Sequence, residues 1–358
     1  MSKENPIMIL ADRTIGPNET PFIIAEMSGN HNQSFDRALA IIDAASKAGV
    51  DAMKFQTYTA DTMTIDHHGG EFFISDEDSL WYGQSMYELY QKAYTPWEWH
   101  EPLFAHCREL GIMPFSAAFD ATAVDFLETL NVPCHKIASP ENIDIPLIYK
   151  AASTGKPLFI STGMASQEEL EDAVRTAQEA GCRDILLLKC TTEYPAESAD
   201  INLRTIPDIR ERFGVQVGLS DHTHGIGVSV ASVAFGAVAI EKHFTLTRAD
   251  GGVDSAFSIE PQEMKQLVSE CRRAHSALGQ VHYGPVQGEG QYIKGRRSLY
   301  VVKDIEVGES LTQKNIRSIR PGYGLPPKCY WEILKQKANR NLKKGTPLKW
   351  EDISPRDS

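Results

Sequence analysis

With 358 residues, 42% of them hydrophobic and 23% charged, and no compositionally biased segment, the chain can hold a large barrel and a small partner domain. Its formal net charge of −12 argues against nucleic acid or an anionic membrane as partner, since both need basic surfaces. Residues 1–6 show no basic segment leading into an apolar run, the richest apolar stretch (228–240) is short, and six cysteines lie scattered without CxxC spacing, so a cytoplasmic protein with reduced thiols is expected.

Short β-rich runs alternate with amphipathic helices along most of the chain. Residues 21–27 read as the first strand, followed by a helix over 35–49 with Ala38, Ile41, Ile42 and Ala45 on one face. A strand over 51–58 precedes helices at 86–93 and 97–110. Strands at 112–119, 134–139, 157–162, 184–191, 215–222 and 237–246 then alternate with helices at 121–130, 145–153, 167–180, 203–213, 227–235 and 262–278. Eight such units in about 260 residues predict an α/β fold, a (β/α)8 TIM barrel over residues 1–280. The doubly wound alternative would carry a Gly-rich loop after its first strand, and none is present. Residues 281–294, rich in Gly and Gln, read as a linker, and 295–358 as a separate small domain with strands near 299–302 and 315–318 and a short helix at 331–334.

In a barrel of this kind the C-terminal ends of the strands face the active site, and the polar residues cluster at those ends. They are Glu26, Ser28, Asn30 and His31 after strand one, and Lys54 and Gln56 on one face of strand two. Strands three to six give Ser116, Lys136 with Ser139, Ser161 with Thr162, and Lys189 with Thr191 and Thr192; strands seven and eight give Ser220 with His222 and Glu241 with His243. A buried ion pair or a helix cap explains one or two of these, but explains their recurrence on all eight strands poorly. Lysines and hydroxyls around one mouth suit a substrate bearing phosphate and carboxylate, so a locally basic pocket is expected within an acidic protein. His222 and His243 end adjacent strands, close enough to share one metal ion.

Several runs carry a resemblance: 24–32 (IAEMSGNHN), 54–56 (KFQ), 136–139 (KIAS), 161–164 (STGM), 218–222 (GLSDH) and 241–244 (EKHF). In this order they resemble the sialic acid synthase family, and 320–324 (RPGYG) is similar to that family's C-terminal antifreeze-like (SAF) domain. Segments 81–83, 89–90 and 95–100 look like the branch of the family that makes pseudaminic acid. The resemblance implies condensation of phosphoenolpyruvate with the amino sugar 2,4-diacetamido-2,4,6-trideoxy-L-altropyranose, with N-acetylneuraminate or legionaminic acid as alternative products. It implies a divalent metal, Mn2+ or Mg2+, on His222 and His243, and Lys54 and Lys136 holding the phosphoenolpyruvate anion. Ser116, Ser139, Ser161 and Ser220 would bind phosphate and carboxylate oxygens; Asn30, Gln56, Thr192 and Tyr194 complete the substrate-binding set. Glu26 would transfer a proton or hold the sugar and the attacking water, and Asp254 would be a second acid on the sugar side. Arg320 would reach the active site of a partner subunit, making a domain-exchanged homodimer. Ala117-Ala118 and Thr192 depart from the family's usual residues and bear on sugar specificity. Two other classes stand beside this reading: a non-catalytic glycan-binding protein, and an aldolase forming a Schiff base on Lys136 or Lys189.

Overall fold

The computed structural model describes residues 7–354, in two compact units that divide after Gly279. The first opens with an antiparallel hairpin of β1 (Met8–Leu10) and β2 (Arg13–Ile15). Eight parallel strands then close a barrel in chain order: β3 (Phe22–Glu26), β4 (Ala52–Thr57), β5 (Met113–Ala118), β6 (His135–Ile137), β7 (Leu158–Ser161), β8 (Ile185–Cys190), β9 (Gln216–Asp221) and β10 (Ala239–His243). The last pairs back onto the first, with His243 beside Glu26.

The helices are α1 (Phe35–Ala48), α2 (Ala60–Met63), α3 (Met86–Ala93), α4 (Trp97–Glu109), α5 (Ala121–Thr129), α6 (Ile145–Ala152), α7 (Gln167–Glu179), α8 (Thr205–Phe213), α9 (Gly227–Ala234) and α10 (Pro261–Leu278). Their starts follow from capping chemistry: Ser34 accepts from the Arg37 N–H at α1, and Ser85 with Glu88, like Ser166 with Glu169, forms a reciprocal capping box. Helix α1 ends on Gly49, whose φ of 87° suits a residue without Cβ.

Side chains alternate across each strand, so two cores form. Outward residues such as Ile23, Met53 and Phe55 pack against the helices. Inward residues Phe22, Ile24, Ala52, Phe115, Phe159, Leu186 and Leu188 fill the barrel's lower half, joined by Met8, Leu10 and Ile15 of the hairpin. The hairpin is not legible in the sequence, because three-residue strands are too short to show a period. The upper half of the barrel is left to polar side chains.

The second unit has its own core of Leu299, Val301, Leu311, Ile316, Ile333 and Leu348. It contains the antiparallel pair β11 (Ser298–Val301) and β12 (Ile316–Ile319) and the single-turn helix α11 (Tyr330–Ile333). The segment read as a linker is not extended throughout: Gln287–Gly295 winds in 3-10 turns. Among the described residues no helix is long and apolar enough to cross a membrane.

Candidate active site

Strand register and the two-residue period decide which polar side chains reach the barrel mouth. Glu26 lies beside Lys54, and Lys54 beside Phe115, so these three share one parity and point into the barrel, Phe115 in its apolar lower half and the two charged residues at the mouth. A cavity of about 380 Å³ above them is lined by Glu26, Lys54, Gln56, Lys136, Ser139, Ser161, Cys190, Ser220, His222, Glu241 and His243, with Ser28, Tyr194 and Asp254 from the loops.

Its floor is one ionic network. Lys54 Nζ lies 3.0 Å from both Glu26 Oε1 and Glu241 Oε1, and Lys136 Nζ 3.7 Å from Glu241 Oε1. Lys136 donates to Ser161 Oγ at 2.8 Å, Ser220 Oγ to Glu241 Oε1 at 2.9 Å, and Gln56 Nε2 to Glu26 Oε1 at 3.0 Å. All four charged groups are buried. Two lysines face two carboxylates, so the floor is charge-balanced rather than basic, a correction to the expected basic pocket: strand ends bring the acids as well as the cations.

Burial raises the Glu26 carboxyl, but the charges of His243, Lys54 and Lys136 outweigh it and hold Glu26 well below the usual carboxylate range. Glu241 is lowered too, burial being outweighed by Lys136 and Lys54. Lys54 is raised against its burial by Glu241 and Glu26, whereas burial dominates at Lys136 and lowers it. Both acids are therefore ionised at neutral pH.

The histidine rings of 222 and 243 are 5.3 Å apart between centroids. His222 Nδ1 is 2.8 Å from the Thr191 carbonyl, which can only accept, so Nδ1 carries a proton; against its burial, Cys190 and that carbonyl raise the imidazole, and Nε2 becomes a donor atom once its own proton is lost. His243 has a buried Nδ1 with no hydrogen-bond partner, and its Nε2 is 3.2 Å from Glu26 Oε2. Two imidazoles with uncommitted nitrogens beside an ionised carboxylate fit one divalent cation that keeps most positions open. Among the described residues no group of three or more His, Cys, Asp or Glu is arranged as a preformed metal cluster.

Tyr194 packs on His222 at 4.4 Å between ring centroids. Asp254 accepts from the Ser28 hydroxyl and, at 3.3 Å, from the Gly29 N–H, which fixes it at the cavity edge.

Three residues expected to bind substrate do not line this cavity. Ser116 has the opposite parity to Phe115 and bonds outward to Thr57 Oγ1 at 2.6 Å. Asn30 turns its amide nitrogen into the fold, donating to the Phe244 carbonyl at 3.0 Å and to Ser258 Oγ at 2.8 Å, while its Oδ1 is buried without a hydrogen-bond partner. Thr192 has a buried Oγ1 without a hydrogen-bond partner, and a Cβ on Gly163 would collide with it and with Ser139, which is why that position needs glycine. Lys189 also points out of the barrel, where its amine donates to Thr191 Oγ1 at 2.8 Å. Arg320 lies in the second unit, exposed just beyond β12.

The inward place on β8 belongs instead to Cys190, for which the scattered cysteine spacing predicts only a reduced, buried thiol. Burial raises that thiol, but His222 and Ser139 outweigh it and bring it down to about 7. The alternation Leu186, Leu188, Cys190 is the signal that would have found it. Glu141, just after β6, stands out only in the structure: burial pushes its carboxyl up to about 7, and its Oε2 has no hydrogen-bond partner.

Residues 41–283 match the NeuB family and residues 296–354 the SAF domain. The chain is 43% identical to the pseudaminic acid synthase of Helicobacter pylori, over 94% of its own length and 98% of that protein. It is 42% identical to the pseudaminic acid synthase of a Campylobacter jejuni strain, covering 93% of this chain and 96% of the other. Identity is 35% to the N,N'-diacetyllegionaminic acid synthase of Legionella pneumophila, over 94% and 96%. Among solved structures, the N-acetylneuraminic acid synthetase of Leptospira borgpetersenii, in complex with citrate, matches with a TM-score of 0.71 and 31% identity over 81% of this chain and 95% of that one. An eight-stranded barrel with this mouth, followed by a SAF domain and matched nearly end to end by these relatives, places the chain in the NeuB family.

Proposed function

We propose that this chain is a pseudaminic acid synthase: it joins phosphoenolpyruvate to open-chain 2,4-diacetamido-2,4,6-trideoxy-L-altrose, consuming water and releasing phosphate. The observation that carries this reading is the 43% and 42% identity to pseudaminic acid synthases along nearly the whole chain, against 35% to a legionaminic acid synthase.

In this mechanism Lys54 and Lys136 hold the phosphoenolpyruvate anion, and the hydroxyls of Ser139, Ser161 and Ser220 take its oxygens. C3 of phosphoenolpyruvate attacks the aldehyde carbon, forming the new C–C bond. A divalent ion held by His222 and His243 would polarise the aldehyde oxygen when bound, and imidazole ligands suit Mn2+ better than Mg2+. Glu26, ionised and fixed by Lys54 and Gln56, accepts the proton of the water that adds at C2. The C2–O bond to phosphate then breaks. Asp254, Gln56 and Tyr194 orient the sugar's polar groups. Arg320 is the small domain's contribution, delivered to the active site of a second copy in a domain-exchanged dimer.

Phosphate release from phosphoenolpyruvate, measured side by side with the altrose, its manno-configured diacetamido counterpart and N-acetylmannosamine, tests the reaction. The altrose should be turned over fastest; preference for either other sugar overturns the assignment of product. Turnover should vanish in chelator and return with Mn2+. Mixing two inactive variants, Lys54→Met and Arg320→Ala, should restore activity, since one mixed site then has both residues intact; no recovery rules out exchange between subunits.

A further inference from the structure

The cavity changes character with height. Its floor is ionic, but its upper wall is apolar, formed by Met63, Ile74, Trp81, Met86, Leu89 and Phe119. All but Phe119 come from one long insertion between β4 and α4. Within α3, Met86, Leu89, Tyr90 and Ala93 follow the i, i+3, i+4, i+7 spacing of a helix's buried stripe. Such a stripe ordinarily covers protein core. Here all four residues line the cavity.

The wall is a built surface. The capping box of Ser85 and Glu88 starts α3, and Trp81 is pinned by its indole N–H donating to the Val253 carbonyl at 3.0 Å. The Trp81 ring meets Tyr194 at 6.0 Å, and Tyr194 in turn packs on His222. Tyr58 buttresses the other side, against Phe119 at 5.1 Å and Tyr90 at 5.8 Å. An apolar wall of this kind is favourable when a ligand covers it with apolar groups rather than water or hydroxyls.

We infer that this wall selects the acceptor sugar by its methyl groups, with Ile74 and Met86 as specificity-determining residues for a 6-deoxy, diacetamido sugar over a hydroxylated one. The inference rests on the synthase reading above and concerns the acceptor only. An open-chain 2,4-diacetamido-2,4,6-trideoxy sugar presents three methyl groups, two from acetamides and one at C6. N-acetylmannosamine presents one, with hydroxyls at C4 and C6. The polar groups that share the upper cavity, Gln56, Tyr90 and Asp254, serve the hydroxyls and amides that both kinds of sugar retain. The wall does not distinguish altro from manno configuration, since both diacetamido sugars carry the same methyls.

The test is a matched pair of acceptors, identical except that one has a methyl and the other a hydroxymethyl at C5. Wild-type kcat/KM should favour the methyl sugar by roughly ten- to a hundredfold, the range that a methyl-sized apolar difference supports. In Ile74→Asn, Met86→Gln and the double variant, that ratio should fall below about threefold, while KM for phosphoenolpyruvate stays at the wild-type value. Both side chains are only half-buried, so these variants are expected to fold. A ratio unchanged in all three overturns the inference and leaves the synthase reading standing. No phosphate release from wild type with any aldehyde overturns both.

Discussion

Strands β9 and β10 help build two buried acid–lysine clusters offset by a single residue, the outward one with Lys242 of β10 and the inward one with Lys54 and Lys136 of β4 and β6. Ser220 pairs in register with Glu241 and both point into the barrel; Asp221 pairs with Lys242 and both point out toward the helices. The outward group is saturated. Asp221 accepts from the Thr223 N–H at 2.9 Å, the Thr223 hydroxyl at 2.8 Å, the Ser229 hydroxyl at 2.5 Å and Lys242 Nζ at 3.0 Å. The inward group is not. Glu241 Oε1 takes Lys54 and Ser220, while Glu241 Oε2 is buried without a hydrogen-bond partner. A cluster with every bond closed is accounted for by the fold alone; an open buried atom beside a cavity leaves a place for a ligand.

Two substitutions can break that contrast. Lys242→Met should destabilise the barrel by about 3–5 kcal/mol, because Asp221 would keep its charge in a dry setting without a counter-ion. Urea unfolding measures this, and kcat/KM of the folded protein should stay within twofold or so of wild type. A large drop in kcat/KM would show that the outward pair also serves the reaction. Lys54→Met should do the reverse. Turnover should fall by roughly 10²–10³-fold, the effect of removing one preorganised charge donor. Its unfolding free energy should change less than that of Lys242→Met, since the cavity admits water to the abandoned carboxylates. A stability loss as large as that of the outward variant would erase the distinction.

The alternation that separates these clusters is legible in the sequence. Lys54 and Gln56, two apart, are expected on one face, and both line the cavity. The same count from Phe115 sends Ser116 outward, and from Leu186 and Leu188 it brings Cys190 inward and sends Lys189 out. Position at a strand's end was legible; parity decided which neighbour reached the site. The apolar wall was harder to read. The stripe of α3 has the spacing of any amphipathic helix, and only the path of the insertion makes it face a cavity instead of core. Asn30 shows the converse: a polar side chain within a family motif, engaged in tying two loops together through Phe244 and Ser258.

The outward side of the barrel also sets a pH dependence that sharpens the comparison. Ser116, Thr57 and His100 form a buried chain, with Thr57 Oγ1 at 2.6 Å from Ser116 Oγ and 2.8 Å from His100 Nε2. Burial pushes the His100 imidazole down to about 4. A folded-state value below the unfolded value near 6.5 means that the unfolded chain binds the proton first as pH falls. Stability is therefore full above about 6.5 and declines as pH falls toward 4, by on the order of 2 kcal/mol at pH 5 from this residue. His31 acts in the same direction: burial lowers it to about 4, and its Nδ1 accepts from the Gln33 N–H, which requires the neutral ring. The ionic floor contributes differently, since Glu26 and Glu241 are lowered and their share is kept until pH drops below the ordinary carboxylate range. Comparing wild type with His100→Gln isolates one histidine from all other titrating groups. Between pH 7 and 5 the variant should lose less stability than wild type by about 2 kcal/mol. Parallel losses in the two proteins would mean that His100 takes up its proton within the fold, and that the outward cluster is less closed than its hydrogen bonds indicate.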